Sequence, residues 1–183
     1  MSSSGKTTLP GQAHDPAEQI HHGGVASTAP RPLCLVSACL CGVACRYDGG
    51  TSLVERLAHL SDSGLALAIC PEVDGGLPTP RPPCELRAGR AVTREGADLT
   101  QHFEAGAAHA LERAHTHGIR LAILKENSPS CGGTMVYDGG FSGTRVPGQG
   151  IAAALLRRYN IRVVSEHGFQ DALEQLLRRG NPL

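Results

Sequence analysis

The chain has 183 residues, 17 basic and 17 acidic side chains, seven cysteines, three Tyr, three Phe and no Trp. Balanced charge argues against stable nucleic-acid binding through phosphates, which needs a basic excess or stripe, and no apolar run reaches the ~18 residues of a membrane span. Seven thiols, with no apolar secretory leader at the N-terminus, point to a reducing, cytoplasmic setting where cysteines pack, bind metal or catalyse.

Residues 1–30 are rich in Ser, Thr, Gly, His and Pro, show no apolar period, and read as a disordered tail. The adjacent His21 and His22 in that tail make a poor metal site. The folded part, an α/β domain, is expected over 31–183. Its first strand, 33–38, is apolar at consecutive positions, as for a strand covered on both faces. Cys39 follows, in a loop that also holds Cys41, Cys45 and Arg46-Tyr47-Asp48-Gly49-Gly50. Arg46 and Asp48 suit either a brace for the loop or a substrate contact. A helix is expected from Ser52, because Ser52 and Glu55 have capping-box spacing. Leu53, Leu57 and Leu60 would form its buried face, and Gly64 would end it.

The second strand, 65–69, leads into Cys70-Pro71-Glu72. The Pro- and Gly-rich stretch to Pro83 reads as a stiff extended loop over the sheet, since proline fixes φ and donates no hydrogen bond. A small hairpin is expected about Ala88-Gly89-Arg90. A long helix follows over 99–117, capped by Asp98 with Gln101 and closed by Gly118; Phe103, Ala107, Leu111 and Ala114 form its buried stripe. His102 and His109 share a face that reads as solvated.

The third strand, 119–124, opens into Lys125-Glu126-Asn127-Ser128-Pro129-Ser130-Cys131-Gly132-Gly133. A loop that only joined two elements would need neither this thiol nor these hydroxyls. Ser128 and Ser130 could bond a substrate or a water, or simply form the turn. Lys125 and Asn127 could hold a polar ring or an anion. A hairpin is expected with strands 134–137 and 141–144 about Asp138-Gly139-Gly140. Then come a helix over 149–159, a strand over 161–164, and a last helix over 170–179 that buries Leu173, Leu176 and Leu177 and stops at Gly180.

Alternating strands and helices predict a three-layer, Rossmann-like α/β fold, with a parallel sheet and helices on both faces. In such sheets ligands bind beyond the strand C-termini. Cys39, Cys45, Cys70 and Cys131 all fall on loops at those ends. Cys34 lies within a strand and reads as a packing residue, as do Cys41 and Cys84. No paired C-x2-C knuckle is present, so the thiols suit a cluster in a crevice better than structural zinc. Three alternatives stay open on spacing alone: a metal or cluster site, a thiol nucleophile, or buried structural cysteines. Glu72, beside Cys70, could serve as a general acid or base, or cap a loop. No G-x-G-x-x-G or P-loop pattern supports a nucleotide.

Val36-Ser37-Ala38-Cys39-Leu40 with Gly42, Cys45-Arg46-Tyr47-Asp48-Gly49, Cys70-Pro71-Glu72 with Gly75-Gly76-Leu77 and Pro80-Arg81-Pro82, and Leu124 to Gly132 together resemble the signature blocks of the thiouracil desulfidase family. The resemblance runs from about Leu33 to Glu166. It implies a 4Fe-4S cluster held by Cys39, Cys70 and Cys131, with its open iron taking the sulfur of a thiolated pyrimidine such as 2-thiouracil. Water then replaces that sulfur without redox change, giving uracil and sulfide. Glu72 would handle protons and Ser128 would assist at the substrate. Cys45 stands outside the implied ligand set, because its position in the family is not always cysteine. Two rival functions remain at this stage: a carrier of a cluster or of sulfur that catalyses nothing, and a metal-free cysteine-nucleophile enzyme.

Overall fold

The computed structural model describes residues 30–178. The expected N-terminal tail, with His21 and His22, lies outside them except for its last residue, as does the helix stop at Gly180. Four strands form a parallel sheet in the order β2-β1-β5-β8, where β1 is Cys34–Ser37, β2 Ala66–Ile69, β5 Leu121–Leu124 and β8 Arg162–Ser165. β1 and β5 are central, and all eight of their residues are buried. Consecutive apolar residues are needed there because both faces are covered.

Alternation along the strands assigns each side chain to a layer. Cys34 and Val36 of β1, with Leu121 and Ile123 of β5, pack against Leu57 of α1 (Glu55–Asp62) and against Phe169, Ala172 and Leu173 of α5 (Phe169–Arg178). Leu35, Ala122 and Leu124 face the other way. They meet Ala110 and Ala114 of α3 (Thr100–His117) and Ala153 and Leu156 of α4 (Ile151–Arg158). These are the helix layers expected on the two faces. Each large aliphatic side chain sealed between them contributes about 1.5–3 kcal/mol.

The connections locate a crevice. The chain leaves β1 through α1 on one face, and leaves β5 for β8 through α4 on the opposite face. The ends of β1 and β5 are therefore a topological switch point, where an open α/β sheet binds its ligand.

Several local expectations are corrected. α1 starts at Glu55 with Val54 at its N-cap, and no side chain caps it. Ser52 is otherwise engaged: its N–H donates to the Cys39 carbonyl at 2.9 Å and its hydroxyl accepts from Arg46 Nη1 at 2.8 Å. Leu53 is 55% exposed rather than part of a buried face. The second hairpin pairs β6 (Met135–Tyr137) with β7 (Arg145–Pro147), so 141–144 belong to the turn. Leu177 is exposed, and Phe169 is buried at the start of that helix instead. A short helix unannounced by the sequence, α2 (Pro71–Asp74), follows Cys70.

The expected hairpin about Ala88-Gly89-Arg90 is present as β3 (Cys84–Arg87) and β4 (Arg90–Thr93). It meets the β6–β7 turn, where Arg87 Nη2 donates to the Gly139 carbonyl at 2.7 Å and Glu85 Oε2 accepts from the Phe141 N–H at 2.9 Å. The two hairpins form a roof beside the crevice. α2 is braced against α3. A Cβ on Gly106 would lie 1.6 Å from the Pro71 carbonyl oxygen, so only glycine admits this approach. His102 and His109, exposed on α3, reach back to the carbonyls of Gly75 and Asp74 at 2.8 and 2.9 Å. They clasp the end of α2 rather than standing free in solvent.

Candidate functional site

A cavity of about 460 Å³ opens at the ends of β1, β2 and β5, under the two hairpins. That volume lies in the range of small-molecule and cofactor sites. The four thiols that the sequence places at strand ends, Cys39, Cys45, Cys70 and Cys131, all line it.

Each is delivered by tight local structure. Cys39 sits in the 3-10 turn Ala38–Cys41 that continues β1, closed by Gly42 at φ 92°, a left-handed conformation that favours glycine. Cys70 is the N-cap of α2, with Pro71 at the first helical position. Cys131 is held by Ser128, whose hydroxyl accepts from the N–H groups of Ser130 and Cys131 at 3.1 and 3.0 Å. Gly150, the N-cap of α4, lets that helix press on the same loop; a Cβ there would lie 2.4 Å from the Ser130 carbonyl oxygen.

Glu126 shapes the far side of the loop. Its buried carboxylate accepts from the N–H groups of Thr134 at 2.9 Å, Met135 at 2.7 Å and Gly133 at 3.3 Å. Burial pushes its pKa up, but these hydrogen bonds outweigh it and hold the carboxyl below its usual range. Lys125 pairs with Glu166 at 2.5 Å, and Glu166 also accepts from the Glu126 N–H at 2.8 Å. Ser37, at the end of β1, accepts from the Lys125 N–H at 3.0 Å and hydrogen-bonds the Cys131 thiol, tying the two central strands together at the switch point.

The thiols are neighbours. The hydrogen bond with Cys39, and then burial, push Cys45 up to about 11, against a lowering contribution from Cys70. The bond with Cys45, then burial, raises Cys70 further. Burial pushes Cys131 up to about 12. An unaided nucleophilic cysteine needs the opposite, a lowered pKa in an electropositive setting. Metal binding supplies the deprotonation that this pocket withholds. Among the described residues, no three His, Cys, Asp or Glu side chains converge on the position of one metal ion. Four thiols lining one crevice are a donor set of the soft, thiolate kind that holds an iron–sulfur group.

A carboxylate held by an arginine and a serine stands beside the thiols. Glu72, on α2, accepts at Oε2 from Arg81 Nε at 2.9 Å and is 2.7 Å from Arg81 Nη2. Its other oxygen accepts from Ser128 Oγ at 3.4 Å. Ser128 thus gives its one proton to Glu72 while its oxygen holds the Cys131 loop. Arg81 is almost sealed, its side chain 3% exposed, and it also donates to the carbonyls of Pro78 and Cys45 and to Thr79 Oγ1. The sequence singled out Arg81 only as part of a Pro-Arg-Pro block. The pair of flanking prolines was the available signal, since they fix the backbone from which the guanidinium reaches back.

The other candidates divide. Lys125 and Asn127 line the cavity, whereas Ser130 is fully buried, with its hydroxyl unpartnered, and does not. Arg46 and Asp48 form the loop brace, 2.8 Å apart. Cys34 is sealed in the core and Cys41 packs against it. Cys84 packs beside Leu77, Ala91 and Phe103, but it also forms part of the cavity wall.

Comparisons with known proteins identify the family. The family described as 2-thiouracil desulfurase matches residues 34–168. The chain is 42% identical over 149 residues to the uncharacterized protein YbbK of Bacillus subtilis (strain 168), covering 76% of this chain and 99% of that one. It is similar to the solved structure of the 4Fe-4S-dependent thiouracil desulfidase TudS, with TM-score 0.75 and 47% identity, covering 80% of this chain and 99% of that chain. Among the described residues, no helix is long and apolar enough to cross a membrane.

Proposed function

Since the chain belongs to the 2-thiouracil desulfurase family, we propose that it removes sulfur from a thiolated pyrimidine such as 2-thiouracil, using a 4Fe-4S cluster held by Cys39, Cys70 and Cys131. The observation that carries this reading is one crevice at the switch point. It joins thiols from three strand ends to a Glu72 carboxylate fixed by Arg81 and Ser128.

When bound, the cluster supplies a soft Lewis acid for the substrate's sulfur. The remaining roles belong to the chain. The proline loop and the loop after β5 hold the ring between them, and Asn127 and Lys125 offer it polar contacts. The roof of two hairpins limits the entry of bulk water. The Arg81 guanidinium anchors Glu72 through Oε2 and leaves Oε1, which accepts from Ser128, as the basic oxygen. Glu72 takes a proton from the water whose oxygen bonds to the ring carbon, and returns it to the departing sulfur. Ser128 shares its proton with Glu72 and steadies the new oxygen. Substrate and water become uracil and hydrogen sulfide, with no change of oxidation state.

The test is iron and acid-labile sulfide per chain on protein purified without oxygen, followed by a thiouracil turnover assay. Roughly four of each, with uracil and sulfide formed in equal amounts, is the expected result. Absence of iron after reconstitution overturns the proposal.

A further inference from the structure

One residue that lines the crevice, Phe141, stands in a backbone conformation that its own side chain disfavours. It lies within the β6–β7 turn at φ 54°, in the left-handed region where a bulky residue is uncommon and glycine or asparagine costs least. Several bonds hold it there. The Phe141 N–H donates to Oε2 of the buried Glu85 carboxylate at 2.9 Å. Asp138 accepts from the Gly140 N–H at 2.8 Å and from the Ser142 hydroxyl at 2.9 Å, which fixes the residues on either side. Gly139 admits the close approach to β3, since a Cβ there would lie 2.6 Å from the Leu86 carbonyl oxygen. The Arg94 guanidinium lies over the Phe141 ring, 5.3 Å from its centroid, and holds the plane of the ring. A turn that only joined β6 to β7 would need neither an aromatic residue at this position nor a buried carboxylate beneath it. Strain held in place by its surroundings gathers where ligands bind. The half-buried Phe141 and Arg94 both line the crevice. The two tyrosines there are placed without such strain: Tyr47 is an exposed loop residue and Tyr137 lies in β6.

Resting on the desulfidase reading, we infer that Phe141 is a specificity-determining residue, whose ring is the platform on which the flat pyrimidine stacks while Lys125 and Asn127 meet the polar edge of that pyrimidine. Hydrogen bonds at the edge read its carbonyl and N–H groups and do not sense whether the ring is flat. Stacking does, because a planar π system lays a whole face on the phenyl ring and a puckered ring cannot. The pinned turn forms this platform in advance, so little freedom is lost when the substrate docks. The roof therefore selects aromatic thiocarbonyl heterocycles over saturated or open-chain compounds that carry the same thiocarbonyl group.

The experiment is equilibrium dialysis of uracil and of 5,6-dihydrouracil with iron-loaded protein, beside KM and kcat for 2-thiouracil and iron content on the same samples. The two ligands share their carbonyl and N–H groups, but the second is puckered and not aromatic. Wild type is expected to bind uracil about tenfold or more tighter than dihydrouracil. Phe141→Leu should weaken uracil binding and raise KM for 2-thiouracil by about the same factor, with iron content, kcat and dihydrouracil binding little changed. Phe141→Tyr, which keeps an aromatic face, should restore near-wild-type values. Equal binding of the two rings by wild type, binding of neither, or an unchanged KM in fully iron-loaded Phe141→Leu overturns the inference, and thiouracil turnover by wild type leaves the proposed function standing in each case. Wild type that prefers uracil but leaves thiouracil unreacted overturns the desulfidase reading and supports the stacking platform. The wild-type comparison decides even if Phe141→Leu fails to fold.

Discussion

Arg81 directs Nε and Nη2 to a single carboxylate oxygen of Glu72, at 2.9 and 2.7 Å, and leaves the other oxygen to Ser128. Both charges are largely withdrawn from water, so removing one strands the other. Arg81→Met is expected to cost about 3–5 kcal/mol of stability, read by denaturant unfolding, and to abolish turnover. Arg81→Lys keeps the charge but loses the fork. It should restore part of the stability while kcat stays low at little-changed KM. Full kcat in Arg81→Lys would mean that the fork does not position Glu72.

Glu72→Ala removes the proposed base and should lower kcat by about 100-fold or more with iron content retained. Unchanged turnover would take Glu72 out of the mechanism. Ser128→Ala leaves the N–H groups of Ser130 and Cys131 without their acceptor, a loss of about 1–2 kcal/mol. It should lower both iron retention and kcat, because one hydroxyl serves the loop and the base.

Cys39→Ser, Cys70→Ser and Cys131→Ser should each sharply reduce iron per chain. Cys34→Ala should keep iron and turnover and cost about 1 kcal/mol through the small void left in the core. Full iron in all three serine variants would refute the ligand set, and iron lost in Cys34→Ala would contradict its placement within β1.

Glu126 makes stability depend on pH in a defined direction. Its carboxyl is held below its ordinary value of 4.5 in the folded state. The stability it contributes is complete above the unfolded-state value and is lost as pH falls through the folded one. Glu126→Gln should be less stable at neutral pH by about 2 kcal/mol, since a charge-assisted set of hydrogen bonds is replaced by neutral ones. Its stability should also fall less than that of wild type on acidification. Parallel pH profiles from denaturant unfolding would count against this account.

Gly106→Ala places a methyl against the Pro71 carbonyl and should force α2 away from α3, at about 1–3 kcal/mol. Cys70 and Glu72 lie on or beside α2, so iron content and turnover should fall together. Gly168→Ala, where nothing lies within 4 Å of an added Cβ, is the matched control and should be silent in iron content and kcat.

The thiols were legible because β1, β2 and β5 each run into a loop or turn that carries a cysteine, at 39, 70 and 131, and a parallel sheet brings such ends together. Glu72 and Ser128 were legible through the resemblance. Their mutual hydrogen bond was not, since it joins loops from different strands. Arg81 escaped for the same reason: its partners are set by the path of the proline loop, which residue types alone do not trace. The failed cap at Ser52 shows local propensity overridden, as Arg46 and the backbone of the Cys39 turn claim the groups that would have capped the helix. The extra length of the β6–β7 turn follows from Phe141 and Gly139, whose backbones are spent on Glu85 and Arg87 of the neighbouring hairpin.

The sheet itself has a seam at its upper edge. β1 lies between β2 and β5, and the segments leaving these strands meet through a few ties, such as Ser37 to Lys125 and the Arg81 N–H to the Tyr47 carbonyl. A group bonded to residues 39, 70 and 131 would act there as a rivet, closing two long chain loops at once. Emptying the site would then loosen the protein as well as silence it, and susceptibility to proteases in the loops around residues 45 and 130 would track how full the site is.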